Sequence, residues 1–153
     1  MLYKKRIHHH IWSIIVSPIN LWRANWRILR NWRHVFKEQP YPVLHLEDLY
    51  LRRLPVLLYF ANFHDLYLGN NNLKTLPKWF KRQNKLICLY AAKNQFTEIP
   101  SVLFELKQLE QLHLGSNNIK VLPKKLLRLT KLRDLSVPDC NLEYLPDFIG
   151  EMS

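Results

Sequence analysis

Between Phe63 and Leu122 one arrangement of leucines, an asparagine and an apolar residue before proline comes round three times. A repeat this short constrains the fold severely. No unit of that size can enclose a core, so each must bury its apolar face against the next copy. With Tyr41, Phe63, Leu86, Leu109 and Leu132 as first positions, successive units lie 22, 23, 23 and 23 residues apart. The fourth position is then Leu44, Leu66, Leu89, Leu112 and Leu135, and the sixth Leu46, Leu68, Ala91, Leu114 and Val137. The ninth is Leu49, Asn71, Asn94, Asn117 and Cys140, the eleventh Leu51, Leu73, Phe96, Ile119 and Leu142. The fourteenth is Leu54, Leu76, Ile99, Leu122 and Leu145, each followed by proline. Five units result, 41–62, 63–85, 86–108, 109–131 and 132–153, preceded by an arm, 1–40.

Apolar residues at positions 4 and 6 with polar neighbours are the alternation of a half-buried strand. One strand per unit with a return of some 15 residues makes consecutive strands parallel. After the strand the chain must turn while its backbone is buried, and those amides need partners. A side-chain amide supplies both donor and acceptor, so Asn71, Asn94 and Asn117 are expected to form a ladder. Cys140 continues that column as a small, buried occupant rather than a reactive thiol. Leu49 breaks it and marks the first unit as atypical. Each proline starts the return, where a missing N–H costs nothing.

The pattern L-x-x-L-x-L-x-x-N/C-x-L-x-x-L-P resembles the leucine-rich repeat family over about three-quarters of the chain. Its period and Leu-Pro step look like the intracellular Ras-suppressor and scribble-like branch. The resemblance implies an α/β solenoid with a parallel sheet on its concave face and short helical or irregular convex segments. It also implies protein binding through exposed strand positions. These include His45, Asp65, Tyr67, Tyr90, Lys93, Glu110, His113, Asp134 and Ser136. Glu47, Asp48, Asp65, Glu110, Asp134 and Asp139 stand there against Lys93 and Arg133, a net of −4. The fifth position reads His45, Tyr67, Tyr90, His113, Ser136, and aromatic side chains make good contact anchors. The remaining repeat positions are basic. Lys78, Lys81, Arg82 and Lys85 follow one proline, and Lys124, Lys125, Arg128 and Lys131 another, offering contacts to RNA or anionic lipid. The fifth unit has no polar capping segment, so Phe148, Ile149 and the edge of the Leu132 unit would face water, and a covering partner is expected there.

The formal charge of +11 is concentrated in residues 1–40, where eight Lys/Arg face one acid, Glu38. Ser17 as N-cap and Pro18 at the first helical position predict a helix over about 18–37, ended by Pro40 and Pro42. Leu21, Trp22, Trp26, Ile28, Leu29, Trp32, Val35 and Phe36 share one broad face, and Arg23, Arg27, Arg30, His34 and Lys37 the other. Such a basic amphipathic helix suits a solenoid cap, a membrane-surface helix, an RNA-binding arm or an uncleaved targeting segment. No apolar run reaches the length of a membrane span, and no small-x-small cleavage site follows Ile11–Val16. His8–His10 lack a nearby cysteine or carboxylate and are not read as a metal site.

Gly-rich phosphate loops, nucleophile elbows and zinc spacings are all missing from the sequence. Cys88 falls on the hollow near His113, yet a Cys–His pair needs an orienting group and an oxyanion site. The reading is therefore non-enzymatic, with no cofactor and no small-molecule substrate. Cys88 and Cys140 lie more than two units apart, which predicts free thiols and a reducing intracellular compartment, cytoplasm before mitochondrion. Three functions follow. The first is a protein-interaction scaffold working through the concave face. The second is an accessory subunit of an organellar ribosome or membrane complex, held by the arm and convex face. The third is a bacterial or viral effector-type repeat protein.

Overall fold

In the computed structural model residues 43–151 are described, together with Trp26. Trp26 is helical and half-exposed. The rest of the helix expected over 18–37, including Arg23, Arg27 and Arg30, lies outside the described residues.

The repeat spacing becomes sheet register. Strands β1 (Val43–His45), β2 (Asp65–Tyr67), β3 (Cys88–Tyr90), β4 (Gln111–His113) and β5 (Asp134–Ser136) form one parallel sheet in chain order. Val43, Asp65, Cys88, Gln111 and Asp134 lie in one row across it. The offsets of 22 and 23 residues are those of the first positions, so no unit slips. Each strand pairs over three residues, but the ladder continues beyond it. Leu46, Leu68, Ala91 and Leu114 donate their N–H groups to the carbonyls of Tyr67, Tyr90, His113 and Ser136 at 2.7–2.8 Å.

Position 8 of every unit then adopts the left-handed conformation, with φ between 52 and 59° at Asp48, Asn70, Lys93, Ser116 and Asp139. Asn and Asp tolerate that region because their side chains bond locally, whereas Lys93 and Ser116 bear its steric cost. This turn brings position 9 inward. Asn71 accepts from the N–H groups of Leu49 and Leu51 through Oδ1 at 3.2 and 2.9 Å, and its Nδ2 donates to the carbonyls of Leu46 and Leu68. Asn94 accepts from Leu73 N at 3.0 Å and donates to the Leu68 and Ala91 carbonyls. Asn117 repeats this with Phe96, Ala91 and Leu114. Every amide reaches back to the preceding unit. Leu49, at the same position of the first unit, is buried. Cys140, expected to be buried, is half-buried; its thiol donates to Leu114 O at 3.3 Å, keeping the donor half of the bond and omitting the acceptor half.

The prolines open five short 3-10 turns: η1 (Val56–Phe60), η2 (Lys78–Arg82), η3 (Ser101–Glu105), η4 (Lys124–Arg128) and η5 (Asp147–Glu151). Each proline carbonyl accepts the N–H of position 18, at Leu58, Phe80, Leu103, Leu126 and Ile149. The first four of these side chains are buried and close the core from the convex side. One core position departs from the apolar pattern. Gln83 shares a column with Ala61, Leu106 and Leu129 and is buried. Its Nε2 donates to Leu58 O at 2.9 Å, and its Oε1 has no partner among the described residues.

The fifth unit differs from expectation. Phe148 and Leu132 are buried, because η5 turns the Phe148 ring into the core in place of Ile149, which stays half-exposed. The side chain left in water is Leu145, 68% exposed, although Leu54, Leu76, Ile99 and Leu122 of the same column are buried. Tyr144 beside it is also exposed.

Two stability outcomes follow. Asn94→Ala strands buried backbone groups of two units and should cost about 2–4 kcal/mol, read as a lower urea midpoint at unchanged slope. At position 7 a Cβ on Gly115 would lie 2.8 Å from Pro138 Cγ, whereas one on Gly69 meets nothing nearer than 3.7 Å. Gly115→Ala should therefore destabilise by about 1–3 kcal/mol, with Gly69→Ala near neutral in the same denaturation assay.

Candidate functional site: the concave aromatic row

In-register parallel strands place equivalent side chains one strand spacing apart, roughly 4.8 Å. That distance is close to the contact distance of two flat rings, so rings repeated at one position can stack. Position 5 does this over four units. His45 stacks on Tyr67 with centroids 4.4 Å apart and planes at 15°, and Tyr67 on Tyr90 at 4.5 Å and 1°. Tyr90 in turn stacks on His113 at 4.4 Å and 12°. The row ends at Ser136, which has no ring. Since each inner ring covers the faces of its neighbours, the row presents ring edges and polar tips to the hollow.

Those tips are tied down by neighbouring columns. Tyr90 OH donates to Gln111 Oε1 at 2.8 Å, and the Cys88 thiol donates to the same oxygen at 3.3 Å. Gln111 did not stand out in the sequence, since one glutamine at an exposed strand position carries no pattern. Only the register shows it bridging two columns. His45 Nδ1 lies 2.9 Å from Glu47 Oε1. His113 Nε2 lies 3.2 Å from Asp134 Oδ2 but off the line of a hydrogen bond. Burial, and then the Asp65 carboxylate, raises the Tyr67 phenol. Burial likewise raises Tyr90, with nearby Cys88 next. Both phenols are neutral at physiological pH.

Cys88 follows the same logic. Burial first, then Asp65 and Glu110, push its thiol up to about 11, so it is protonated near neutral pH. A thiol so placed is a poor nucleophile. Cys88 and Cys140 are both free.

The remaining concave residues surround the row. Asp65 and Asp134 flank it at position 3 on β2 and β5, Glu110 is half-buried at position 2, and Lys93 is exposed on its left-handed turn. The structure thus brings His45, Tyr67, Tyr90 and His113 into direct contact and leaves Ser136 and Lys93 apart from them. On the convex side the two basic clusters differ. Lys78, Lys81 and Arg82 project from η2 with no ion pair among the described residues. On and after η4, Arg128 lies 3.3 Å from Glu105 Oε1 and Lys131 bonds Gln108, while Lys124 and Lys125 are exposed. No group of three or more metal-ligating side chains occurs among the described residues, and no described helix is long and apolar enough to cross a membrane.

This coil of parallel strands, asparagine ladder and 3-10 returns is the leucine-rich repeat solenoid. The family model described as leucine rich repeat matches residues 89–142. Among solved structures the chain is similar to YopM from Yersinia enterocolitica WA-314, at 22% identity and TM-score 0.53, covering 94% of this chain and 35% of that one. It is also similar to a leucine-rich repeat protein of Leptospira interrogans, at 22% identity and TM-score 0.54, covering 67% of this chain and 32% of that one. An internalin of Listeria monocytogenes aligns at 26% identity and TM-score 0.48, over 54% of this chain and 24% of that one. The chain therefore spans about a third or less of the length of these structures. The two with the higher scores share its fold. No curated protein matches the chain.

Thiol chemistry gives a direct check on the hollow. In a Cys140→Ser background, Cys88 should react with a disulfide reagent at pH 8 on the order of a hundredfold more slowly than free cysteine. Asp65→Asn should speed the reaction by removing a charge that opposes the thiolate.

Proposed function

We propose that the chain is a non-catalytic interaction scaffold that holds a protein partner through its concave face. The observation that carries this reading is the continuous four-ring stack on an open sheet. Rings locked by mutual stacking lose little freedom on binding, so their contact area costs little entropy. The acidic flanks, Asp65, Glu110 and Asp134, favour a partner segment bearing lysine or arginine. Cys88 does not act as a nucleophile in this reading, because burial and adjacent carboxylates hold it protonated. The 23-residue unit with its Leu-Pro step is read as the Ras-suppressor and scribble-like type, which suits an intracellular adaptor.

The test is affinity purification of the tagged full-length chain from its own cells, with mass spectrometry of what it retains. A Tyr67→Ala/Tyr90→Ala variant should lose the principal partner by at least tenfold while its thermal unfolding stays cooperative. An unchanged set of partners in that variant would overturn concave binding.

A further inference from the structure

The convex face of the first two units is unlike the rest of the exterior. On η1, Val56 is 42% and Phe60 66% exposed, and neither has a role in the core. Tyr59 meets Phe60 edge-on at 5.0 Å between centroids and Trp79 of η2 at 6.1 Å, so the two turns share one aromatic cluster. Arg82 crosses it: its guanidinium carbon sits 4.7 Å over the Tyr59 ring, with Nη1 3.0 Å from the phenol oxygen. Lys78 and Lys81 project beside it from η2. Between Leu49 and Thr97 the sequence contains a single acid, Asp65, and that residue is on the concave strand β2. The η3–η4 surface, by contrast, sets Glu105 against Arg128 and ties Lys107 Nζ to the Phe104 and Arg128 carbonyls.

We propose that this η1–η2 surface docks onto an anionic lipid bilayer, with Phe60 and Val56 entering the headgroup layer and Lys78, Lys81 and Arg82 meeting lipid phosphates. Large apolar side chains ringed by amphipathic aromatics and cations are the composition suited to that boundary. The geometry favours lipid over nucleic acid. Stacking on bases needs free ring faces, whereas the Tyr59 face is taken by Arg82 and Phe60 packs edge-on against Tyr59. Val56 adds apolar volume and offers a base nothing. The surface is independent of the concave row, so a docked chain keeps its hollow open to a partner.

The experiment is flotation of the full-length chain with vesicles of phosphatidylcholine alone, or with about a quarter of phosphatidylserine. Binding should need the anionic lipid. Because residues 1–40 are also basic, the decisive variants lie in the repeats. Val56→Ser/Phe60→Ser should lower partitioning at least fivefold, and Lys78→Glu/Lys81→Glu at least tenfold. Tyr67→Ala/Tyr90→Ala should float as the parent does. Val56, Phe60, Lys78 and Lys81 are exposed, and circular dichroism checks that each variant is folded. Flotation unchanged in both repeat variants would overturn the proposal. So would absence of flotation combined with binding of a polyuridine strand that is lost on Lys78→Glu/Lys81→Glu.

Discussion

A solenoid has no closed core, so its stability depends on how each turn of the coil satisfies the backbone it buries. Here that task falls to three side-chain amides. Asn71, Asn94 and Asn117 each accept from the preceding unit through Oδ1 and donate to carbonyls of two units through Nδ2. Left unpaired, such groups would cost far more than the net value of the bonds they form. The ladder thus couples neighbouring units in register, and the left-handed turn at position 8 is what presents each amide inward. Where Cys140 stands in the same column, one bond of several is preserved.

Register, once locked, generates the two surfaces. On the concave side equal spacing turns one column of the sequence into stacked rings, and the neighbouring column into the Gln111 bridge that holds Tyr90 and Cys88. On the convex side the same spacing sets η1 against η2, joining aromatics of one unit to cations of the next. Both faces are built from contacts between residues about 23 apart, as with Arg82 and Tyr59. A solenoid of this kind presents each face as a rigid row rather than a pocket, which favours extended partners and flat surfaces over small molecules.

Much of this was legible in the sequence. The strand positions, the core columns, the amide ladder and the proline-initiated returns follow from periodicity, because a repeating unit leaves one way to bury its leucines. The aromatic row at position 5 was visible as a column of residue types. Gln111 and Gln83 were not, since each interrupts its column once and leaves no pattern. The apolar end of the fifth unit was misread for a related reason: Phe148 and Ile149 are adjacent, and only packing decides which turns inward. The two basic clusters looked equivalent as strings, although Arg128 lies opposite Glu105 and the η2 cations have no such partner among the described residues.

By itself, then, the sequence determined the parallel order of the described strands and their register, since both depend on apolar spacing that any stacked copy must obey. The tertiary structure alone decided what that register brings together: which rings stack, which thiol is held protonated by burial and carboxylates, and which cations lack an ion pair among the described residues. Those outcomes depend on distances across units, and a linear pattern carries no distances.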